Sequence, residues 1–314
     1  MPPGRRDPAA DPVIPPGPSQ VDLHTHTTRS DGVLAPAVLA AEAAAAGVRL
    51  LAIADHDSLA APRELLAAGA ALLPEDLALL PAVEINSVAR GIPDLADGEL
   101  HILGLGVDPD DEPFEAVLAI QRERRRARFT AMIERLASTG TPVEAELERL
   151  DLDAIEAYGR PTLARALVAA GHASSVPDAF ARLVGRDAPA YVPREGIGPT
   201  EAIAAIRAAG GLAVLAHFAA APARPGLVRA LVEAGLGGLE VYYRSFDRAT
   251  VEALAELAAE LRLAATGGTD FHGDHETYAQ AHAALWIPPG VGRSVCRAIG
   301  QPALADGLTA ERRG

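Results

Sequence analysis

The sequence predicts an α/β protein: a closed (β/α) barrel of about seven units, interrupted once by a helical insertion. Three observations carry that prediction. Seven short, largely apolar runs fall at 21–27, 50–56, 78–86, 99–107, 212–218, 238–243 and 264–270. Helical patterns at 36–46, 59–72, 199–209, 225–235 and 249–261 separate many of them. Six of the nine histidines stand beside acidic residues at the ends of these runs. Continuous apolar runs suit strands covered on both faces, and strand–helix alternation implies a parallel sheet. Chemistry in such barrels collects where strands end and loops begin.

Taken in order, the first run carries Asp22-Leu23-His24-Thr25-His26. Side chains on a strand alternate faces, so His24 and His26 share one. Asp31 follows in the next loop. The second run ends in Asp55-His56-Asp57, where a flanking aspartate is expected to orient the His56 imidazole. The third ends at Glu84, a natural bridge between cations. His101 lies near the start of the fourth run, the exception to the strand-end pattern, so that strand's direction is open. The fifth run ends at His217. The seventh closes with Thr269-Asp270-Phe271-His272-Gly273, with Asp270 and His272 on one face.

The repeat breaks after Val107, in the acidic, proline-containing Asp108-Pro109-Asp110-Asp111-Glu112-Pro113. Helical patterns follow at about 114–139, 144–157, 161–171 and 176–184. The expected organisation is therefore a disordered, proline-rich tail over 1–20, a barrel built from 21–107 and 195–290, a helical insertion domain over 108–194, and a C-terminal helix and tail over 291–314. Read as leaving from the ligand-bearing rim, the insertion is expected to sit over it.

Composition narrows the function. A net charge of −14 argues against stable binding of duplex nucleic acid, but not against a small anionic substrate. A single cysteine, Cys296, excludes an internal disulfide and a cysteine zinc site, and fits the cytoplasm. All 28 basic residues are arginine. Schiff-base lysines, phosphate-loop lysines and carboxylated-lysine metal bridges are thus excluded. The first 20 residues lack the apolar core of a signal peptide, and no window has the length and apolarity of a membrane span.

Imidazole and carboxylate together are the ligand mixture for zinc, manganese or iron. Nine candidates are too many for one ion: His24, His26, Asp31, His56, Glu84, His101, His217, Asp270 and His272 suit two or three divalent ions sharing a bridging carboxylate. His172, His275 and His282 read as surface or loop histidines. Arg160 is the candidate phosphate clamp, since a guanidinium matches phosphate oxygens in a bidentate geometry, with Arg194 and Arg244 behind it. The run Arg122-Glu123-Arg124-Arg125-Arg126-Ala127-Arg128 reads as a solvated helix face, the alternative being a basic rim that guides an oligonucleotide.

These segments resemble the polymerase-and-histidinol-phosphatase (PHP) family of metal-dependent phosphoesterases. Asp22-Leu23-His24-Thr25-His26 with Ser30-Asp31-Gly32, Ile53-Ala54-Asp55-His56-Asp57, Val83-Glu84-Ile85, His101-Ile102-Leu103-Gly104, Ala213-Val214-Leu215-Ala216-His217 and Gly267-Gly268-Thr269-Asp270-Phe271-His272-Gly273 resemble its motifs in order. Ala54, Phe218 and Thr269 stand where threonine, proline and serine are usual. Gly159-Arg160-Pro161-Thr162-Leu163-Ala164-Arg165 is similar to the insertion of stand-alone bacterial members that act on nucleoside 3′,5′-bisphosphates or trim short RNA, with Thr162 at a position usually histidine.

The resemblance implies a distorted (β/α)7 PHP barrel and hydrolysis of phosphate monoesters, of nucleoside 3′,5′-bisphosphates or short 5′-phosphorylated RNA, by a metal-bridging hydroxide. It implies that His24, His26, Glu84 and Asp270 hold one metal, Glu84, His101 and His217 a second, and Asp31, His56 and His272 a third. Glu84, Asp270 and His217 then carry catalysis, and Arg160 and Arg194 meet the substrate phosphate. Manganese is the first expectation, with zinc, iron(II) or magnesium as alternatives. The rival readings are a histidinol-phosphate phosphatase, an amidohydrolase barrel and a non-catalytic metal-binding accessory module.

Overall fold

The computed structural model describes residues 19–308 apart from 91, 93, 94, 96, 97, 151 and 275. The expected tail over 1–20, except Ser19 and Gln20, therefore lies outside the described residues, as do His275 and the last six residues of the 291–314 stretch.

Seven strands form one sheet in chain order: β1 (Val21–Thr25), β2 (Leu50–Ile53), β3 (Ala78–Val88), β4 (Glu99–Leu105), β5 (Leu212–Leu215), β6 (Gly238–Tyr243) and β7 (Ala264–Gly268). β7 returns to β1 through a parallel bridge between Thr25 and Phe271 and through the bonds Asp270 N–H to His24 O and His26 N–H to Phe271 O. The barrel is nearly closed. Gly268 permits that closure, because a Cβ there would lie 2.5 Å from the His24 Cβ.

Helices α1 (Pro36–Ala45), α2 (Ala60–Ala68), α7 (Pro199–Ala208), α8 (Pro225–Glu233) and α9 (Arg248–Leu261) join the strands. Strand alternation sorts the core. Leu51, Ile53 and Leu79 pack with Leu39 and Ala43 of α1 and with Leu65 of α2. Their neighbours Leu50, Ala52, Leu80 and Ala82 pack instead with Val291, Val295 and Cys296. Those three belong to α11 (Gly290–Ala298), which follows α10 (Tyr278–Ala283). His56 and Glu84 continue the second row beyond its apolar end.

Three expectations need correction. The sheet is not wholly parallel: β4 pairs antiparallel with both β3 and β5. His101 therefore sits at the start of its strand yet on the ligand rim, opposite Asn86 near the end of β3. The insertion accordingly leaves from the other rim, where Gly106 N–H bonds Pro81 O at 2.8 Å. Helix α3 (Glu112–Ser138) then carries the chain back up; its 27 residues span about 40 Å. The insertion continues through α4 (Glu144–Leu147), α5 (Arg160–Ala169) and α6 (Val176–Ala179), the last running into a π-helical turn over Phe180–Val184. The helix expected over 144–157 stops at Leu147, and farther along the Glu156 and Ala157 N–H groups bond Arg29 O, in the loop after β1. Among the described residues, no helix is long and apolar enough to cross a membrane.

Candidate metal centre

The rim formed by the C-terminal ends of six strands and the start of β4 gathers all nine candidate ligands. His24 and His26 share a face of the first strand, and their Nε2 atoms lie 3.1 Å apart. Glu84 Oε2 stands 3.5 Å from His24 Nε2, 3.3 Å from His26 Nε2 and 2.9 Å from His56 Nδ1. Its other oxygen, Oε1, is 2.8 Å from His101 Nδ1 and 3.1 Å from His217 Nε2. Asp270 Oδ1 is 3.4 Å from His24 Nε2 and 3.2 Å from His26 Nε2. Asp31 reaches His272 Nε2 at 3.3 Å and His56 Nε2 at 3.6 Å. Three groups could each hold a cation: His24, His26 and Glu84; Glu84, His101 and His217; and His26, Asp31, His56 and His272.

The donors fit divalent ions. An ion about 2.0–2.2 Å from each of its ligands spaces them about 3–3.5 Å apart, the range seen here. His26 Nδ1, His56 Nδ1 and Glu84 Oε2 are buried without a hydrogen-bond partner, which is costly for polar atoms unless something else satisfies them. Burial would raise the Glu84 carboxyl, but the imidazoles of His101, His56 and His24 outweigh it and hold it well below the usual carboxylate range. Asp31 and Asp270 are lowered in the same way. Burial would lower His101 and His272, yet Glu84 lifts the first to about 9, while Asp31 and Asp270 lift the second to about 10. Burial wins at His56, which falls to about 4. Divalent ions would replace the protons that this cluster otherwise shares.

A polar shell fixes the ligands. Asp22 accepts from Thr269 N–H (2.9 Å), the Thr269 hydroxyl (2.7 Å) and the Tyr278 hydroxyl (2.8 Å), tying β1 to the Asp270 turn. Asp55 accepts from Thr27 N–H at 2.7 Å and from the hydroxyls of Thr27 and Ser30, both at 2.5 Å. Asp57 pairs with Arg125 Nε at 2.5 Å. Neither aspartate makes a hydrogen bond to the His56 ring, so both hold loops and not the imidazole. Among the described residues, four non-glycine residues have positive φ, and three of them lie at this rim: Asp57 (48°), His217 (29°) and Asp270 (49°). Each such residue stores about 1–3 kcal/mol of strain, which surrounding contacts must offset. Glu240, fully buried on β6, bonds His24 and His217 together and was missed in the sequence, where it sits inside the apolar run Gly238–Tyr243.

Seven of the nine candidate ligands line a cleft of about 420 Å³, while His24 and His26 are fully buried and do not line it. Arg125, Arg160 and Arg194 also line it, with Phe180, Phe218 and Tyr243. The Arg160 guanidinium lies over the rings of Phe180 (5.5 Å) and Tyr191 (5.8 Å). Arg194 pairs with Glu99 at 2.8 Å; burial and neighbouring Arg125 lower it to about 10, so it remains a cation at neutral pH. The Arg122–Arg128 run is not simply a solvated face. Arg125 and Arg128 are buried, Arg122 is half-buried against Glu115, and Arg124 and Arg126 are exposed. Spacing at i, i+3 and i+6 on α3 turned those three inward, a signal present in the sequence. Arg125 bonds Asn86, which approaches His101 Nε2 at 2.5 Å. Arg244 pairs with Glu276. His282, expected at the surface, is buried, with Nε2 bonded to Ser19 O at 2.8 Å, far in role from any ligand set. His172 contacts Pro142 O.

Comparison with known proteins follows the same line. No family model matches the chain. The 5′-3′ exoribonuclease Rnm of Escherichia coli is 36% identical over 283 residues, covering 86% of this chain and 90% of that protein. The chain belongs to the PHP family of metal-dependent phosphoesterases. Within that family, the 3′,5′-nucleoside bisphosphate phosphatase of Chromobacterium violaceum is 31% identical, over 90% of this chain and 95% of that protein. A crystal structure from Bifidobacterium adolescentis, assigned as a metal-dependent phosphoesterase, superposes with a TM-score of 0.70 at 34% identity, covering 81% of this chain and 88% of the other. As a PHP member, the chain is a hydrolase of ester bonds, and its His/Asp/Glu cluster is compatible with divalent ions.

Proposed function

We propose that this enzyme hydrolyses phosphate monoesters of nucleotides, with nucleoside 3′,5′-bisphosphates and short 5′-phosphorylated RNA as its substrates. The single observation that carries the reading is the mixed lining of the cleft: seven of the nine candidate imidazole and carboxylate ligands share it with Arg125, Arg160 and Arg194. A substrate with one phosphate at the ligand wall and a second anionic group near Arg160 and Arg194 satisfies both walls at once. The relatives' names support nucleotide chemistry.

His24, His26, Glu84 and Asp270 would hold one ion, Glu84, His101 and His217 a second, and Asp31, His56 and His272 a third. Such ions supply activated water and neutralise charge on phosphoryl oxygens. The chain's own residues do the rest. Glu84 presents its two oxygens to different histidine groups. The Tyr243 hydroxyl donates to Asp270 Oδ2 at 3.1 Å, and burial beside that carboxylate raises its pKa, so it stays a donor. Arg160 and Arg194 bind phosphate oxygens, and the insertion over 108–194 acts as the arm that brings Arg160 to the rim. We take manganese as the ion, three per chain, and the cytoplasm as the setting.

The test is phosphate release in manganese-supplemented buffer from adenosine 3′,5′-bisphosphate, AMP, a 5′-phosphorylated trinucleotide and histidinol phosphate. Higher kcat/KM on a nucleotide supports the reading. Faster turnover of histidinol phosphate than of every nucleotide overturns it.

A further inference from the structure

Glu240 is not among the candidate ligands, yet it is a fully buried carboxylate of the barrel. It lies on β6, fully buried, level with Thr266 of β7. Its Oε1 is 3.0 Å from His24 Nδ1. Its Oε2 accepts the backbone N–H of His217 at 2.7 Å. Each oxygen therefore serves a histidine from a different ligand group: His24 stands with His26 and Glu84, and His217 with Glu84 and His101.

The chemistry of each contact is directional. A carboxylate oxygen accepts, so His24 must place a proton on Nδ1. That leaves the lone pair of Nε2 free, and Nε2 is the atom facing Glu84, Asp270 and His26 at 3.5, 3.4 and 3.1 Å. At His217 the contact is to the main chain, where φ is +29°. A non-glycine residue holds that conformation only when its neighbours impose it. The turn swings the His217 imidazole to 3.1 Å from Glu84 Oε1.

We infer that Glu240 is a positioning residue that couples two of the cation groups: it fixes the His24 tautomer with one oxygen and the His217 turn with the other. Resting on the metal reading of the site, this adds a residue that touches neither cation nor substrate. A glutamine cannot replace it. The amide has one accepting oxygen, so either the His24 ring proton or the His217 N–H would face an NH2 group.

The experiment is zinc binding by the full-length protein and its Glu240→Gln variant, measured by competition with a chromophoric chelator, together with the melting temperature of each metal-free form. The expected result is a zinc affinity lower by about 10–100-fold, the usual cost of losing a carboxylate behind a ligating histidine. A variant that melts lower when metal-free but binds zinc within twofold of the parent would reduce Glu240 to a structural residue and overturn the inference. If the variant does not fold, nitrogen-15 histidine spectra of the zinc-loaded parent decide, with the His24 signal identified by its loss in His24→Asn. A proton on His24 Nδ1 supports the inference, and one on Nε2 ends it. A parent that takes up no zinc, manganese or iron would instead remove the metal reading itself, and Glu240's role with it.

Discussion

The two walls of the cleft are built by opposite rules. The ligand wall stands largely on strand ends, where sheet pairing holds Glu84 and His101, a buried carboxylate bonds the Thr269 turn, and His217 and Asp270 take positive φ. The arginine wall stands on the insertion, at α3 and the start of α5, and its cations lean on carboxylates, amides and rings. Candidate ligands some 3 Å from one another leave little room for displacement if they are to share an ion. A guanidinium that meets a phosphate can tolerate a longer reach. Damage to the first wall should therefore fall on turnover and metal content, and damage to the second on substrate affinity.

Glu84 offers the most severe way to break the ligand wall, because both its oxygens are engaged with different histidine groups. Glu84→Gln should lower kcat by at least about 10²–10³-fold, the scale of removing one charge-stabilising group from a hydrolytic site. Metal analysis should show fewer ions per chain. Retention of full activity and full metal content would mean that Glu84 holds no ion. Asp270→Ala should behave similarly, with little loss of fold, if Asp270 holds an ion as proposed, since it is Asp22 that bonds the neighbouring Thr269.

Removing the ions from the native protein tests the same wall without a substitution. Ligands that bind only the folded state stabilise it by about 2.7 kcal/mol at a hundred times their dissociation constant. Dialysis against a chelator should thus abolish phosphate release and lower the melting temperature by several degrees, both restored by manganese. A chelated protein that remains fully active would contradict the ligand wall altogether.

Why one wall was legible in the sequence and the other only partly follows from the same contrast. Strand periodicity is two, so His24 and His26 announced a shared face from spacing alone, whereas Asp270 and His272 lie past the end of β7 and reach the same rim through a turn with Asp270 at φ +49°. Glu84 and His217 ended apolar runs and were equally visible. The seven strands appeared close to their observed limits for the same reason. β4 was placed but its direction was not, because an apolar run reads alike both ways; the only hint was His101 at the wrong end. Glu240 was hidden because it sits mid-strand among apolar residues, where only a three-dimensional neighbour gives it meaning. On α3, charge clustering masked the three-residue spacing that carries Arg122, Arg125 and Arg128 inward. The turn at 156–157 was lost to a long-range bond with Arg29 that no local pattern encodes.

Arg160 sharpens the comparison from the other side. It lines the cleft and lies over the rings of Phe180 and Tyr191. A charge-assisted hydrogen bond contributes about 1.5–3 kcal/mol, so Arg160→Gln should raise KM for adenosine 3′,5′-bisphosphate by about 10–100-fold. Metal content and kcat should stay near the parent's. A fall in bound metal with KM unchanged would place Arg160 on the ligand wall and dissolve the distinction between the two.

The smallest effect expected is at Arg124 and Arg126, the exposed members of the α3 run. Neither lines the cleft, and Arg126 only stacks over Tyr158 at 5.6 Å. Exposed substitutions of this kind change stability by about 0.5 kcal/mol or less. Arg124→Glu with Arg126→Glu should therefore leave hydrolysis of AMP unchanged. What happens with a 5′-phosphorylated oligonucleotide depends on how far its backbone travels beyond the cleft. A chain held only by its terminal phosphate ignores these positions. One that follows α3 loses rate on charge reversal, and loses it more at low salt than at high, since screening over about 10 Å at 0.1 M removes most of a surface charge's reach. Equal rates on the oligonucleotide at both salt concentrations confine recognition to the buried arginines, whereas a salt-dependent loss extends the arginine wall outward along the helix.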